Sequence, residues 1–131
     1  MPLNSMRYVY KVLTQDEWER ACMDGYINTA LDDIDGFVHF SLAKQLALTI
    51  RSYFDQYETL VLLQIETDKL CDKLVFEKSG SNERDGKFPH LYGKLDTRDI
   101  YKRWNLERNA FELPLDVLKE SENLTPTTSS R

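Results

Sequence analysis

The chain contains two histidines, and each stands in a run unlike the charged sequence around it: His39 in DGFVHFS and His90 in FPHLYG. An imidazole titrating near about 6.5 can give or take a proton at neutral pH, and two converging rings can grip a phosphate or divide acid and base roles. Ser41 follows His39 by two positions, and Gln45 and Thr49 lie one turn apart behind it if the chain is helical there. His90 and Tyr92 stand two apart, on one side of any extended segment. Glu77 closes an apolar run before the loop that leads to FPHLYG and is a candidate acid or base. Plainer roles compete with each of these. A strand histidine can be hydrogen-bonded inside a fold, and a serine directly before a helical run is the preferred N-cap type. Phe88, Leu91 and Tyr92 can plug a core while Pro89 and Gly93 shape a turn, and most glutamates are solvated.

These side chains need elements to hold them. RYVYKVL, Arg7 to Leu13, is rich in β-branched and aromatic residues and reads as a strand. Thr14 and Glu17 then form a T-x-x-E capping box, Trp18, Ala21 and Cys22 recur at helical spacing with Trp18 as core anchor, and Gly25 suits the left-handed residue that stops a helix. The segment Asn28 to Asp35 is polar and acidic, and no element is predicted over it. Gly36 to Phe40 reads as a short strand with Phe37 and His39 on one face and Val38 and Phe40 on the other. Leu42, Leu46, Ile50 and Phe54 step by four through a second helix. TLVLLQIE, Thr59 to Glu66, is the most apolar run and predicts a mid-sheet strand covered on both faces. A turn or short helix over Thr67 to Cys71, a strand KLVFE and an exposed loop KSGSNERDGK follow. DIYKRWNL and NAFELP read as closing strands. Residues 1–6 are taken as an N-terminal extension, 7–115 as a single domain and 116–131, containing SENLTPTTSSR, as a disordered tail.

With 131 residues, 41% of them hydrophobic and 30% charged, the chain has the size and balance of one compact soluble domain. A formal charge of -5 argues against long nucleic acid and anionic membranes and favours a small-molecule ligand. Cys22 and Cys71 make no CxxC spacing, so no metal site is predicted and both thiols are expected to be reduced, in a cytoplasmic protein. No run approaches the roughly 18 apolar residues of a membrane span. The sequence sets no oligomeric state.

YVYKVLTQDEW, the DGFVHFSLAKQL run, LVLLQIE and the FE before FPHLYG, in this order, resemble the domain of unknown function 952 family over roughly residues 7 to 105. That resemblance implies an α+β domain of ADP-ribosyltransferase-like fold, with a split, mainly antiparallel sheet and two N-terminal helices. The opening order is also similar to the start of RNA 2'-phosphotransferases, which carry a histidine-bearing first strand and an HIHLA-type second strand; His39 matches the later histidine of that second motif. Transferase-like chemistry on a nucleotide-like ligand, with NAD as candidate cofactor, is what the likeness implies. The chain departs from it on the first strand, where Tyr10 and Lys11 stand in place of the histidine or arginine that would hold a nicotinamide ribose. A lysine can donate to a hydroxyl or phosphate but lacks a fixed orienting geometry. The expectation is therefore weak or absent NAD binding, with Lys11 among the ligand contacts.

The sequence reading is thus a cleft in which His39, Glu77 and His90 are catalytic and Ser41, Gln45, Tyr92 and Lys11 bind the ligand. The chain would act as an enzyme on a nucleotide-like or phosphorylated small molecule. The alternatives are a binding module without turnover and a structural protein-interaction domain.

Overall fold

The structure, a computed structural model, describes residues 7–78, 86–107, 114 and 117–119. Its first strand, β1 (Tyr8–Thr14), ends where Thr14 turns into α1 (Gln15–Asp24). The Thr14 hydroxyl accepts from the Glu17 amide at 3.1 Å and the Glu17 carboxylate accepts from the Thr14 amide at 2.9 Å, so both orphan donors are met as the spacing predicts. Gly25, at φ 85°, closes the helix in the left-handed region that a side chain would disfavour. A two-residue strand β2 (Tyr26–Ile27) follows.

The polar run then departs from expectation by forming a helix, α2 (Ala30–Asp35). The same local rule produces it. The Thr29 hydroxyl accepts from the Asp32 amide, the Asp32 carboxylate accepts from the Thr29 amide, both at 3.2 Å, and Gly36 closes the helix. Three described α-helices, rather than the two predicted, therefore precede the central strand. After β3 (Val38–His39) and a 3-10 turn over Ala43–Gln45 comes α3 (Leu46–Tyr53). Ser41 does not cap it. The turn begins from Leu42 and α3 from Gln45, while the Ser41 hydroxyl pairs with that of Thr49 at 2.8 Å.

The strand β4 (Thr59–Glu66) lies between β1 and β8 (Ile100–Glu107), antiparallel to both. Val61, Leu63 and Ile65 pack with Val9, Leu13 and Ala21 on one side, and Leu60 and Leu62 with Tyr10, Val12 and Leu46 on the other. This two-sided cover explains why TLVLLQIE shows no apolar–polar alternation. Each such leucine contributes about 1.5–3 kcal/mol through burial.

A second sheet has the order β3, β6 (Lys87–Leu91), β5 (Leu74–Lys78), again antiparallel, and β2 pairs with β7 (Leu95–Asp96). Among the described residues one isolated β-bridge joins the two three-stranded sheets. Tyr10 and Ser41 exchange both backbone hydrogen bonds at 2.8 Å, tying the segment after β3 to the outer edge of β1. The described architecture is α+β with antiparallel strand pairing. Among the described residues no helix is long and apolar enough to cross a membrane. The tail SENLTPTTSSR, the NAFELP strand up to Leu113 and loop residues 79–85 lie outside the described residues.

Candidate functional site

Register decides which side chains meet on the β3-β6-β5 sheet. His39 pairs with His90, Val75 with His90 and Glu77 with Phe88. Directly opposed residues share a face, so His39, His90, Glu77 and Phe88 fall together while Val38, Leu91 and Phe76 turn into the core. The histidine rings lie 5.5 Å apart, edge to face. Phe37 packs across both, with its ring centroid 4.6 Å from that of His39 and 4.2 Å from that of His90, stacked on the latter.

Each imidazole is oriented through Nδ1 by a carboxylate. His90 Nδ1 lies 2.7 Å from Glu77 Oε1, which also accepts from the Tyr92 hydroxyl at 2.8 Å. The hydrogen bonds from His90 and then Tyr92 hold the Glu77 carboxyl below its ordinary range, and Glu77 in turn pushes the Tyr92 phenol up. Nε2 of His90 is buried and has no hydrogen-bond partner among the described residues. His39 Nδ1 lies 2.7 Å from Asp32 Oδ1, and its Nε2 lies 2.8 Å from Asp35 Oδ2.

Asp32 is the buried hub of this corner. Its Oδ1 accepts from the Lys11 ammonium at 2.9 Å and from the His39 amide at 3.0 Å, besides the ring nitrogen, and its Oδ2 accepts from the Thr29 amide. Burial pushes the carboxyl up, but the His39 hydrogen bond and the Lys11 charge outweigh it and hold Asp32 far below the usual carboxylate range. Burial also pushes the Lys11 ammonium down, with Asp32 opposing. The lysine makes a second bond, to the His39 carbonyl, at 2.9 Å. Lys11, singled out from sequence as a ligand contact, thus ties β1 to Asp32 and to the strand that carries His39.

A cleft of about 550 Å³ opens between α2, α3 and β1, and His39, His90, Ser41, Thr49, Asp35 and Lys11 are on its wall. Leu31, Tyr53 and Tyr57 also line it although they are exposed, so apolar surface faces solvent beside the polar floor. Of the seven residues singled out from sequence, the cleft wall brings together His39, His90, Ser41 and Lys11. Glu77 and Tyr92 are joined to it through His90. Gln45 takes no place there: its side chain is a buried strut, accepting from the Leu42 amide at 2.8 Å and donating to the Lys87 carbonyl at 2.9 Å. Sequence reasoning missed Asp32, Asp35 and Phe37. The T-x-x-D spacing of Thr29 and Asp32, followed by Gly36, was the available signal. Among the described residues no cluster of histidine, cysteine, aspartate and glutamate is arranged to hold a metal.

An α+β fold with paired antiparallel strands carrying a carboxylate-backed histidine pair thus defines the class of this domain. The chain belongs to the family described as "Protein of unknown function (DUF952)", whose sequence model matches residues 12–103. It is similar to the crystal structure of protein CC0527 from Caulobacter crescentus, with 32% identity over 83% of this chain and 90% of that one and a TM-score of 0.69. The solution NMR structure of CC0527 gives 34% identity over 83% and 88% of the two chains, with a TM-score of 0.63. No curated protein matches the sequence.

Proposed function

We propose that the cleft is a small-molecule site at which His90 acts as general base, with Glu77 fixing its ring. The observation that carries this is the pairing at His90. With Nδ1–H donated to Glu77, the neutral ring presents Nε2 as an acceptor, and that buried nitrogen has no partner among the described residues. A ring held in one tautomer by a carboxylate, beside a cleft bearing the Ser41 and Thr49 hydroxyls, is the arrangement that activates a hydroxyl or water. His39 serves differently: with a carboxylate at each nitrogen it is a fixed hydrogen-bond donor, and both contacts are met only while both nitrogens carry hydrogen.

The ligand class that fits is a phosphorylated or nucleotide-like molecule, with an apolar portion against Leu31, Tyr53 and Tyr57 and a polar end toward the histidines. NAD stands outside this reading. The Tyr10 hydroxyl is bonded by Gln64 at 2.9 Å and the Lys11 ammonium by Asp32, so neither is held ready for a ribose. Binding without turnover is the second reading, favoured by the fully paired His39.

A metabolite thermal-shift screen followed by turnover assays tests the proposal. The expected result is a ligand whose stabilisation and conversion both depend on His90; stabilisation that survives His90→Asn unchanged would remove His90 from the site. A ligand at about a hundred times its Kd adds roughly 2.7 kcal/mol, well within reach of a melting curve.

A further inference from the structure

We infer that the outer nitrogen of His39 is an oxyanion-binding position and that the Asp35 carboxylate occupies it until the phosphate or carboxylate of a substrate takes its place. This rests on the reading of the cleft as a substrate site and names the group the substrate must carry.

The two sides of the His39 ring differ in how firmly their partners are held. On the inner side, Asp32 is 1% exposed at the side chain and is fixed by Lys11, Thr29 and the His39 amide. On the outer side, the Asp35 side chain is 38% exposed, and among the described residues His39 is its sole hydrogen-bond or ion-pair partner. Exposed pairs of this kind contribute little, because water and salt screen them and holding the side chain costs entropy. Asp35 is also the last residue of α2, where the carbonyl end of the helix gives a carboxylate no favourable field. Both Asp35 and His39 line the cleft. The carboxylate at 2.8 Å therefore sits where the oxygen of a bound phosphate would sit, and leaves it at small cost. An anion placed there shares the cleft wall with His90 and with the Ser41 and Thr49 hydroxyls.

Calorimetric titration of phenyl phosphate into the unaltered chain, Asp35→Ala, Asp33→Ala and the double variant Asp35→Ala/His39→Gln tests this. Asp33 is an exposed carboxylate two residues away on the same helix and controls for bulk charge. The expected result is that Asp35→Ala tightens binding by about fivefold, that Asp33→Ala gains distinctly less, and that His39→Gln abolishes the gain. Equal or weaker binding by Asp35→Ala, an equal gain from Asp33→Ala, or a gain that survives His39→Gln overturns the inference. A second readout needs no variant: in NMR spectra of the unaltered chain, phenyl phosphate must shift the His39 ring resonances, and their staying still while the probe binds also overturns it. The cleft reading is judged separately, by ligand stabilisation that depends on His90, so either idea can fail alone.

Discussion

His39 and His90, 51 positions apart in the chain, are direct cross-strand partners in the β3–β6 pair, with rings 5.5 Å from one another. This one register sets the chemistry of the site. A slip of β3 by a single residue would turn His39 into the core and bring Val38 out, parting the two imidazoles. Phe37 fills the space across the two rings, so their spacing is held by packing as well as by pairing.

His90→Asn is the direct test of the base. Asparagine keeps a donor near Glu77 but has no acceptor nitrogen to take a proton. Turnover of the ligand found by screening is expected to fall by about a hundredfold or more, the usual contribution of a positioned base, while the melting temperature changes much less than it does for a core truncation such as Leu63→Ala, which should cost about 2–5 kcal/mol. A variant that loses its fold and keeps its rate per folded molecule would make His90 a core residue instead.

Glu77 offers a titration that separates its two partners. Its carboxyl lies below the ordinary range because of His90 first and Tyr92 second. Carboxyl NMR should show its midpoint rising in Tyr92→Phe and rising further in His90→Asn. The reverse order would mean that the tyrosine, rather than the histidine, fixes this carboxylate.

Asp32 carries a stability prediction whose sign follows from its depressed pKa. Between its folded value and the unfolded value of about 3.9, the unfolded chain binds a proton that the native chain does not, so stability rises with pH there. Its contribution is complete above that unfolded value and is lost as pH falls below it. Asp32→Ala should cost about 3–5 kcal/mol near neutral pH, because the buried Lys11 ammonium is left without its counter-charge. Lys11→Met should cost less, since Asp32 retains the His39 and Thr29 donors. Denaturant midpoints at unchanged slope measure both. A larger loss for Lys11→Met would show that the lysine, not the carboxylate, is the hub.

The elements readable from the chain were those whose signals are local. The Thr14–Glu17 box, Gly25 and the two-faced apolar run of β4 all appear where spacing and composition place them. The alternation in Gly36 to Phe40 also gives the right faces: Val38 and Phe40 are buried, and Phe37 and His39 are less so. What composition conceals is a buried charge. Asp32 looks like any acidic surface residue, and its burial follows from Lys11 arriving on a separate strand 21 positions earlier. Ser41 fails as a cap for a similar reason. Its backbone is engaged by Tyr10 across the split between the sheets, which places its hydroxyl toward Thr49 rather than on the helix end.

Thr29 gives the last prediction, because it joins the overlooked helix to the site. Its hydroxyl accepts from the Asp32 amide while its own amide donates to the Asp32 carboxylate that holds the His39 ring. Thr29→Ala removes the first of these bonds and should cost about 1 kcal/mol, the usual loss for an N-cap. The effect should extend past stability, since a frayed first turn of α2 loosens Asp32 and with it the orientation of His39. Thr29→Ser, which restores the accepting hydroxyl, should recover the stability and the ligand affinity together. Calorimetry and thermal melts on the two variants decide it: if alanine lowers the melting temperature yet leaves ligand affinity untouched, α2 supports the fold without tuning the histidine.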